Sequence, residues 1–583
     1  MNNRASWQGG CAWALMLVAS GLSARTELPP VSVESSAPAA RVALDGLRPD
    51  LNLALRQLPG MQVRSRGGLG AYSEASLRGS SSRQVQVLLD GVALPTLGGA
   101  AFNLSLLPAA ALDAATLDYE RSRGLAGDLH LHTRESNNAY AEASVGSFGS
   151  QHLGLGGWQG WHAQIQGADN DFPLRNPFKP FDPSDPQRRA DEPRNNAQTA
   201  QGSLLWAGES AHRALLVWNE EALPNQRNTA TNEAQLRTAL AFWATRLNSG
   251  LSLSLGWMDE DFSDRRAQVA LAASETRAQT ASIELALPQE RMDGEYRLGL
   301  YRYRARDARG AAGDVDVTRV QLELPWSWVG AAGTLQSWVQ LQPYADLSPQ
   351  LGDDQGLAGQ LGLRWAPQVH LSSAIQLRSR IPSLFERYGN RGLFQGNPDL
   401  APEHAWEWQL QWQQPDFQAQ GFVRWLQDAI VPQYTAQGLG RSQNAGRALV
   451  AGLSMNLQRN WGRCGQHGLN VDLLHTEDRS NRVTTGRQLP GRAPIQAIWS
   501  SLWALPGSLE LRYLFAFEDG AFFDSLNLLA TPTVRRHDLQ LQGRWQQWLW
   551  RLEGRNLSDA RYARFNGFPE PGRHWQLSLR RSF

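Results

Sequence analysis

Residues that could bind a metal lie in two places in this sequence. His130 and His132 are two positions apart, so on a strand both imidazoles point to one face and could share an ion. A proline-rich acidic run contains Asp182, Asp185 and Asp191, whose carboxylates are the oxygen ligands that calcium prefers. Both patterns are also typical of ordinary strands and solvated loops. We expect no resident metal, and calcium is the one cofactor left open.

No pattern in the chain predicts catalysis. The sequence contains no Gly-x-Ser-x-Gly elbow, no His-Glu-x-x-His pair and no phosphate-binding loop. The glycine-rich stretch from Arg66 to Gly70 is not followed by the strand-to-helix transition of a dinucleotide site, and we interpret it as an exposed loop. We therefore predict that the protein is not an enzyme.

The composition excludes several classes of protein. The 583 residues carry 56 Lys+Arg against 55 Asp+Glu, a net charge of +1, which gives no basic surface for nucleic acid. Only 19% of residues are charged, while Trp reaches 23 and Gly 54. Beyond residue 24 there is no apolar run of the roughly 18 residues that a membrane helix needs. Alternating membrane strands stay compatible with these numbers.

The first 24 residues predict export. Arg4 is followed by the apolar run Cys11–Ala19 and then by small residues up to Ala24, the order of a secretory signal peptide. Removal of residues 1–24 would leave Cys464 as the single cysteine, which permits no internal disulfide.

From about residue 139 the dominant pattern is alternation with a period of two. Trp406, Trp408, Leu410 and Trp412 share one strand face, and Glu407, Gln409 and Gln411 share the other. A soluble sandwich would also alternate. The Gln-, Arg- and Glu-rich polar faces and the Trp near strand ends favour a membrane β-barrel with a wet lumen. At roughly 10 residues per strand and as many per connection, residues 138–583 accommodate about 22 antiparallel strands.

The segment before the barrel has a different character. Asp50 to Leu58 is a helix pattern ended by Pro59-Gly60, and short strands are predicted at Gln62–Arg64, Ser76–Arg78 and Val85–Leu89. These elements indicate a compact α/β domain of about 90 residues.

Taken together, these residues resemble the TonB-dependent outer-membrane receptors. The motifs are Leu58-Pro59-Gly60-Met61-Gln62-Val63, Leu77-Arg78-Gly79, Val87-Leu88-Leu89-Asp90-Gly91-Val92, Asn397-Pro398-Asp399-Leu400 and Arg555-Asn556-Leu557. The resemblance implies an α/β plug inside the barrel lumen, in the outer membrane of a Gram-negative bacterium. It also implies this order: signal peptide 1–24, TonB-box segment and linker 25–42, plug 43–135 and barrel 136–583.

The resemblance also implies partners and a contact between the two domains. By position, Glu27, Leu28, Pro29, Pro30, Val31, Ser32 and Val33 are similar to the TonB box, which adds as a strand to the TonB energy-coupling protein. In the family, the arginine equivalent to Arg78 pairs with barrel carboxylates and locks the plug to the wall. The terminal Phe583 is similar to the signal read by the barrel assembly machinery. We expect a monomer surrounded by outer-membrane lipid.

The family likeness implies active import of a scarce, large solute. Candidate ligand residues on the outward plug loops are Arg66 and Arg83 for charge and Tyr72 and Phe102 for flat apolar contacts. The compact plug is most similar to that of cobalamin (vitamin B12) receptors. Receptors for ferric siderophores or other metal complexes are the alternative, and a passive or adhesin-like plugged barrel is another, because the stretch Tyr119–Leu129 departs from the family pattern.

Overall fold

The computed structural model describes most of the chain beyond residue 39. The described residues are 40–44, 47, 51–134, 138–174, 192–194, 196–208, 211–224, 234–264, 274–289, 294–307, 314–330, 334–391, 394–434, 440–462 and 465–583. The predicted signal peptide, the segment Glu27–Val33, the calcium candidates Asp182, Asp185 and Asp191, and Cys464 lie outside them.

The N-terminal elements form a small α/β domain. A five-stranded sheet has the order β1-β6-β7-β4-β5, and β2 pairs with β3 in a separate hairpin. The bounds are β1 (Ala40–Ala43), α1 (Leu51–Leu55), β2 (Met61–Ser65), β3 (Ser73–Leu77), β4 (Val85–Leu89), β5 (Val92–Ala93), β6 (Leu112–Asp118) and β7 (Gly127–Thr133). Short 3-10 turns lie at Ser82–Gln84, Leu97–Gly99, Leu104–Leu106 and Ala109–Ala111.

The remaining strands close into one antiparallel barrel. Its 22 long strands, each paired with its neighbours in sequence, are joined by the pairing of the last with the first. The bounds are β8 (Tyr140–Gly146), β9 (Gln151–Trp158), β10 (Trp161–Ala168), β11 (Thr199–Ala207), β12 (Arg213–Ala222), β13 (Gln235–Arg246), β14 (Ser252–Asp264), β15 (Ser274–Pro288), β16 (Glu295–Asp307), β17 (Val315–Val329), β18 (Leu335–Leu347), β19 (Asp354–Gln368), β20 (Leu371–Arg380), β21 (Glu403–Gln414), β22 (Phe417–Tyr434), β23 (Gly440–Asn460), β24 (Gln466–Asp478), β25 (Ile495–Leu505), β26 (Leu509–Asp519), β27 (Val534–Trp545), β28 (Trp548–Arg555) and β29 (His574–Ser582).

The loops carry further short elements. Two-stranded pairs form at Pro173–Leu174 with Glu192–Pro193 and at Ala563–Phe565 with Phe568–Pro569. The connection from β20 to β21 contains the helix α2 (Leu384–Tyr388) and the short strands Asn390–Arg391 and Phe394–Gln395. Within the described part of the chain, no helix is long and apolar enough to cross a membrane.

The alternation of each barrel strand separates an apolar outer face from a polar inner face. Trp406, Trp408, Leu410 and Trp412 are exposed, whereas Glu407 and Gln409 are buried in the lumen. The same separation holds on β9, where Leu153 and Leu155 are exposed and His152 is buried. Because lipid replaces water around the outer face, exposed apolar side chains are stable there. The predicted fold, a large antiparallel barrel with a plug, is confirmed.

The two ends of the barrel differ in their connections. Short turns such as Gln159–Gly160 and Gln546–Gln547 alternate with longer loops such as 381–402 and 556–573. Long loops face the outside and short turns face the periplasm in barrels of this type. Exposed tryptophans near the short turns form an aromatic girdle: Trp158, Trp161, Trp328, Trp365, Trp412, Trp461 and Trp545.

The plug differs in detail from the sequence prediction. The helix ends at Leu55 instead of Leu58, and Arg78 is not in the third strand but in the turn after it, with φ 48°. The five-stranded sheet begins at Ala40, before the predicted start of the plug at residue 43, because β1 pairs antiparallel with β6 from Ala40 onward. Buried Leu and Ala side chains from α1, β4, β6 and β7 form the plug core.

Candidate functional site

The loop between β2 and β3 forms the outward tip of the plug. Gly67 and Gly68 have φ of 78° and 99°, a region that residues with a Cβ rarely adopt. A Cβ on Gly68 would also lie 2.4 Å from Oδ1 of Asn170, in the loop after β10. Arg194 donates to the carbonyls of Arg66 and Gly67, at 2.7 Å for Gly67. Because the glycines lack side chains, Arg194 and Asn170 of the barrel loops can contact the backbone of this tip directly.

These contacts place Arg66 against Tyr72. The Arg66 guanidinium lies 4.8 Å from the centre of the Tyr72 ring, and the Tyr72 hydroxyl donates to Glu74 at 2.9 Å. Burial raises the pKa of Tyr72, and the neighbouring Glu74 carboxylate raises it further. Tyr72 is therefore a neutral, fixed aromatic surface.

The loop after β20 brings a second aromatic surface to the same region. Ser383 accepts from the amide of Glu386 at 3.0 Å and caps α2. The helix carries Phe385, which is 7% exposed and supports the half-buried Phe394 from below, with ring centres 5.5 Å apart and planes at 4°. Arg83 of the plug lies 6.0 Å from the Phe394 ring centre, and Arg391 lies 5.3 Å from that of Phe385.

We call these six residues the outer cluster: Arg66, Tyr72, Arg83, Phe385, Arg391 and Phe394. Arg83 pairs with the buried Glu386 at 3.4 Å, and Arg391 pairs with Glu260. Arg66 forms no ion pair with a described carboxylate. Burial, together with the like charges of Arg66 and Arg83, lowers the pKa of Arg391 to about 10. The cluster thus brings three guanidinium groups beside flat rings, and two of the three are paired with carboxylates.

Such a combination recognises particular chemistry. Guanidinium groups bind carboxylate, phosphate and phenolate oxygens by directed hydrogen bonds, and aromatic faces accept planar apolar groups. Three of the six residues, Arg66, Tyr72 and Arg83, are among those predicted from the sequence. Sequence reasoning missed Phe385, Arg391 and Phe394, although all three lie in the loop that separates Arg380-Ile381-Pro382-Ser383 from Gly396-Asn397-Pro398.

The other predicted residues lie elsewhere. Phe102 is 5% exposed and belongs to the apolar plug core, so it offers no surface to a ligand in this conformation. His132 is 2.9 Å from the Thr116 hydroxyl, and burial lowers the pKa of His130. Among the described residues, no group of three or more His, Cys, Asp or Glu could hold a metal ion.

Arg78 crosses from the plug to the barrel wall. Its guanidinium donates to Glu407, Gln409 and Gln420, each at 2.9 Å, and lies 3.4 Å from the centre of the Tyr119 ring. The side chain of Arg78 is 2% exposed and that of Glu407 1%.

Two barrel arginines share the same carboxylate. Arg424 bonds to Glu407 at 2.5 Å, and Arg378 lies 3.6 Å from it. Arg378 also donates to the Ser122 hydroxyl at 2.6 Å, and Gln376 donates to the carbonyl of Tyr119 at 3.0 Å. The divergent stretch Tyr119–Leu129 therefore contains a turn up to Ala126, which the wall holds at several points, and the first residues of β7, which pair with β6 and β4.

Family profiles match both parts of the chain. Residues 112–557 match the family described as "TonB dependent receptor-like, beta-barrel", and residues 35–117 match "TonB-dependent Receptor Plug Domain". A relative described as the vitamin B12 transporter BtuB of Vibrio vulnificus is 34% identical over 110 residues, which is 17% of this chain and 18% of that protein.

Solved structures share the whole architecture at low identity. The copper transporter OprC superposes with a TM-score of 0.70 at 14% identity, covering 95% of this chain and 100% of the other. The siderophore receptor PirA of Acinetobacter baumannii gives a TM-score of 0.63 at 14% identity, covering 96% and 100%. These likenesses show the fold.

Proposed function

Because the chain belongs to the TonB-dependent receptor family, an outer-membrane family of transporters, we propose that it imports a scarce, large solute by energised transport. The observation that carries this proposal is the plug, a folded domain held inside the barrel by buried polar contacts and by an apolar cluster that includes wall residues such as Leu215 and Phe242. An open lumen of 22 strands would leak. A plugged one must be opened by a ligand-coupled force, and the outer membrane itself has no ATP.

The force would come from a partner in the periplasm. We assign strand addition to TonB to Glu27–Val33, whose alternating, proline-containing sequence suits an extended backbone. Deleting these seven residues should abolish uptake and leave solute binding at the cell surface unchanged. Uptake that continued unchanged in the deletion strain would identify a passive pore instead.

Cobalamin is the first solute to test. Its support is the 34% identity to a vitamin B12 transporter over 110 residues, together with the compact plug. Cobalamin carries a single phosphodiester, which one or two of the arginines in the outer cluster could bind.

The outer cluster favours a second candidate, an anionic metal complex such as a ferric siderophore. Three guanidinium groups beside the rings of Tyr72 and Phe394 suit a ligand with several negative oxygens and planar groups better than one with a single phosphate. The structural relatives named for siderophores share only the fold.

Competition binding to the purified protein separates the candidates. Cyanocobalamin, a ferric tris-catecholate and haem would be titrated against the wild type, Arg66→Ala and Arg83→Ala. The control is Arg302→Ala, on the exposed outer face of β16, where Arg302 pairs with Asp316. Loss of one desolvated arginine contact should weaken the true solute about 10- to 100-fold. Sub-micromolar siderophore binding without cobalamin binding would overturn the first choice, and equal binding by all four proteins would remove the outer cluster from the site.

A further inference from the structure

A crevice separates one side of the plug from the barrel wall. It has a volume of about 190 Å³ and lies between the plug segments 93–99 and 123–124 and the inner faces of β13 to β18. Two other cavities between plug and wall, near α1, measure about 30 and 80 Å³. The free space between plug and wall is therefore greatest, among these three cavities, on the side of the crevice.

The crevice runs from the outer cluster toward the periplasm. Arg83, Gly99 and Ser383 line its outer end, and Gly99 is exposed. Its inner end is lined by Arg123, Glu284 and Glu323. Glu284 is four residues before the end of β15, where a short periplasmic turn follows. Ser, Thr and Gln side chains of the wall line the space between these ends, which makes the path polar.

One plug residue closes the inner end. Arg123 lies 3.2 Å from Glu284 and 3.2 Å from Glu323, so that it bridges two neighbouring parts of the wall. The Tyr301 hydroxyl donates to Glu284 at 2.7 Å and fixes that carboxylate. A bidentate, largely buried bridge of this kind is strong while intact, and removing one partner is costly.

A different set of contacts attaches the plug to the wall on the other side. There, Arg78 makes three side-chain bonds to the wall, Arg492 donates to the carbonyls of Gly79 and Ser80, and Asp472 accepts from the amide of Gly60 at 2.7 Å. On the crevice side, the amide of Gly98 donates to the Thr280 hydroxyl at 2.7 Å, and Leu94 and Leu97 belong to an apolar cluster that includes Phe242 and Tyr303 of the wall. The crevice side therefore combines apolar contacts with the Arg123 bridge, whereas buried, directed hydrogen bonds hold the side around Arg78.

We propose that the solute passes between plug segment 93–99 and the wall formed by β13 to β18, and that Arg123 is the gate at the inner end of this path. This inference rests on the proposed transport function. It commits to one side of the plug, with the contacts around Arg78 acting as the side that stays attached.

Ion conductance tests the gate without TonB and without the solute. In planar bilayers with KCl, Arg123→Gln should carry at least about tenfold more current than the wild type, because a buried bridge has lost one partner. The control is Arg41→Gln, which breaks an exposed plug ion pair with Asp113 and should not conduct. Glu284→Gln with Glu323→Gln should reproduce the leak, and a silent Arg123→Gln would overturn the gate.

Disulfide tethers test which side opens. An ideal Cβ on Gly256 lies 2.8 Å from Cβ of Pro95, about 1 Å shorter than a mean disulfide separation. Pro95→Cys with Gly256→Cys would thus bind the segment to the wall across the crevice. Gly70→Cys with Thr199→Cys, with the two Cβ positions 3.2 Å apart at the plug tip, is the matched control. Cys464→Ser is the background for both.

In the Arg123→Gln protein, the oxidised crevice tether should return the current to the wild-type level, and reductant should restore the leak. The oxidised control tether should leave the leak intact. A leak that persists through the crevice tether, or that only the control tether blocks, would overturn the assigned path. Because these readouts need neither uptake nor ligand, failure of the transport proposal would not be mistaken for failure of the path.

Discussion

At the scale of single residues, the plug is held by charges that the barrel wall buries. Arg78 follows Leu77 in a left-handed turn, which directs its side chain out of the hairpin and toward Glu407. Isolated, a buried guanidinium is costly, but three acceptors and the Tyr119 ring surround this one. The contact between plug and wall is therefore specific and expensive to break.

Replacing Arg78 tests this contact. Arg78→Ala removes the guanidinium that donates to Glu407, Gln409 and Gln420. The free energy of local unfolding of β3 should fall by about 3–5 kcal/mol, measured by native-state hydrogen exchange. In Arg78→Lys, the free energy of local unfolding of β3 should lie between the values for the wild type and Arg78→Ala, because one ammonium replaces a guanidinium that reaches three acceptors. Arg302→Ala, which breaks an exposed pair, should change β3 by less than about 1 kcal/mol. An unchanged exchange rate in Arg78→Ala would refute the assigned role.

A second residue-scale prediction concerns Asp118. Burial and the facing Asp128 raise the pKa of Asp118 to about 7, with the Glu120 amide and Arg378 acting in the opposite direction. The folded plug then keeps a proton that the unfolded chain loses above its ordinary pKa of 3.8. Plug stability should therefore fall as pH rises from about 4 to about 7 and be level above that.

Hydrogen exchange of β6 and β7, corrected for intrinsic rates, measures this dependence. Asp118→Asn should remove this pH dependence of plug stability. Asp113→Asn, which changes an exposed residue on the same strand, should keep it. A rise in stability over the same interval would contradict the assignment to Asp118.

Sequence reasoning reached part of the outer cluster because side-chain type and an adjacent glycine loop were enough to single out Arg66, Tyr72 and Arg83. It placed Phe102 with them, but burial in the plug core depends on packing that a single sequence does not display. Arg391, Phe385 and Phe394 are more than 300 residues from Arg66 along the chain. Only closure of the barrel brings them to the plug tip.

At the scale of elements, each strand separates a lipid face from a lumen face by its period of two. Leu341, at the middle of β18, points outward, and the adjacent Gln340 points inward, where it donates to Glu323 at 3.2 Å. Alternation of this kind is visible in the sequence, which is why the barrel could be predicted. The ends of the strands were harder to predict from the sequence, because many strands continue beyond the apolar band into the loops.

Leu341→Arg should test the lipid face. A charge near the middle of the apolar band should lower the free energy of unfolding of the barrel in vesicles by about 2–4 kcal/mol, measured by urea titration. Gln340→Arg places the same charge one residue away in the lumen, beside Glu323, and should cost less than about 1 kcal/mol. Equal losses in the two variants would contradict the assigned faces.

The helix α2 offers another element-scale test. Ser383→Ala removes the cap of a helix of only five residues and should cost about 1 kcal/mol of local stability. Since α2 positions Phe385, solute affinity should fall several-fold, measured by fluorescence titration. Ser327→Ala, on β17 away from the loop, is a control that should leave affinity unchanged.

At the scale of the whole molecule, two folded parts of different character share one interface. The barrel is closed by β29 pairing with β8, so its hydrogen-bond ladder has no free edge. The plug has an open five-stranded sheet and shares an apolar cluster with the wall. The strand number followed from length and strand size alone, whereas the contacts that hold the plug to the wall join residues far apart in the sequence.

The open sheet of the plug has one further consequence. Strand β1 lies at its edge and is joined to the rest by pairing with β6, from Ala40 opposite Leu117 to Ala43 opposite Ala114. Tension transmitted along the chain from its N-terminal side reaches these four residue pairs before any other part of the plug. Detachment of β1 would thus set the smallest force that can start unfolding of the plug. Forces below this threshold would not reach the buried arginine contacts.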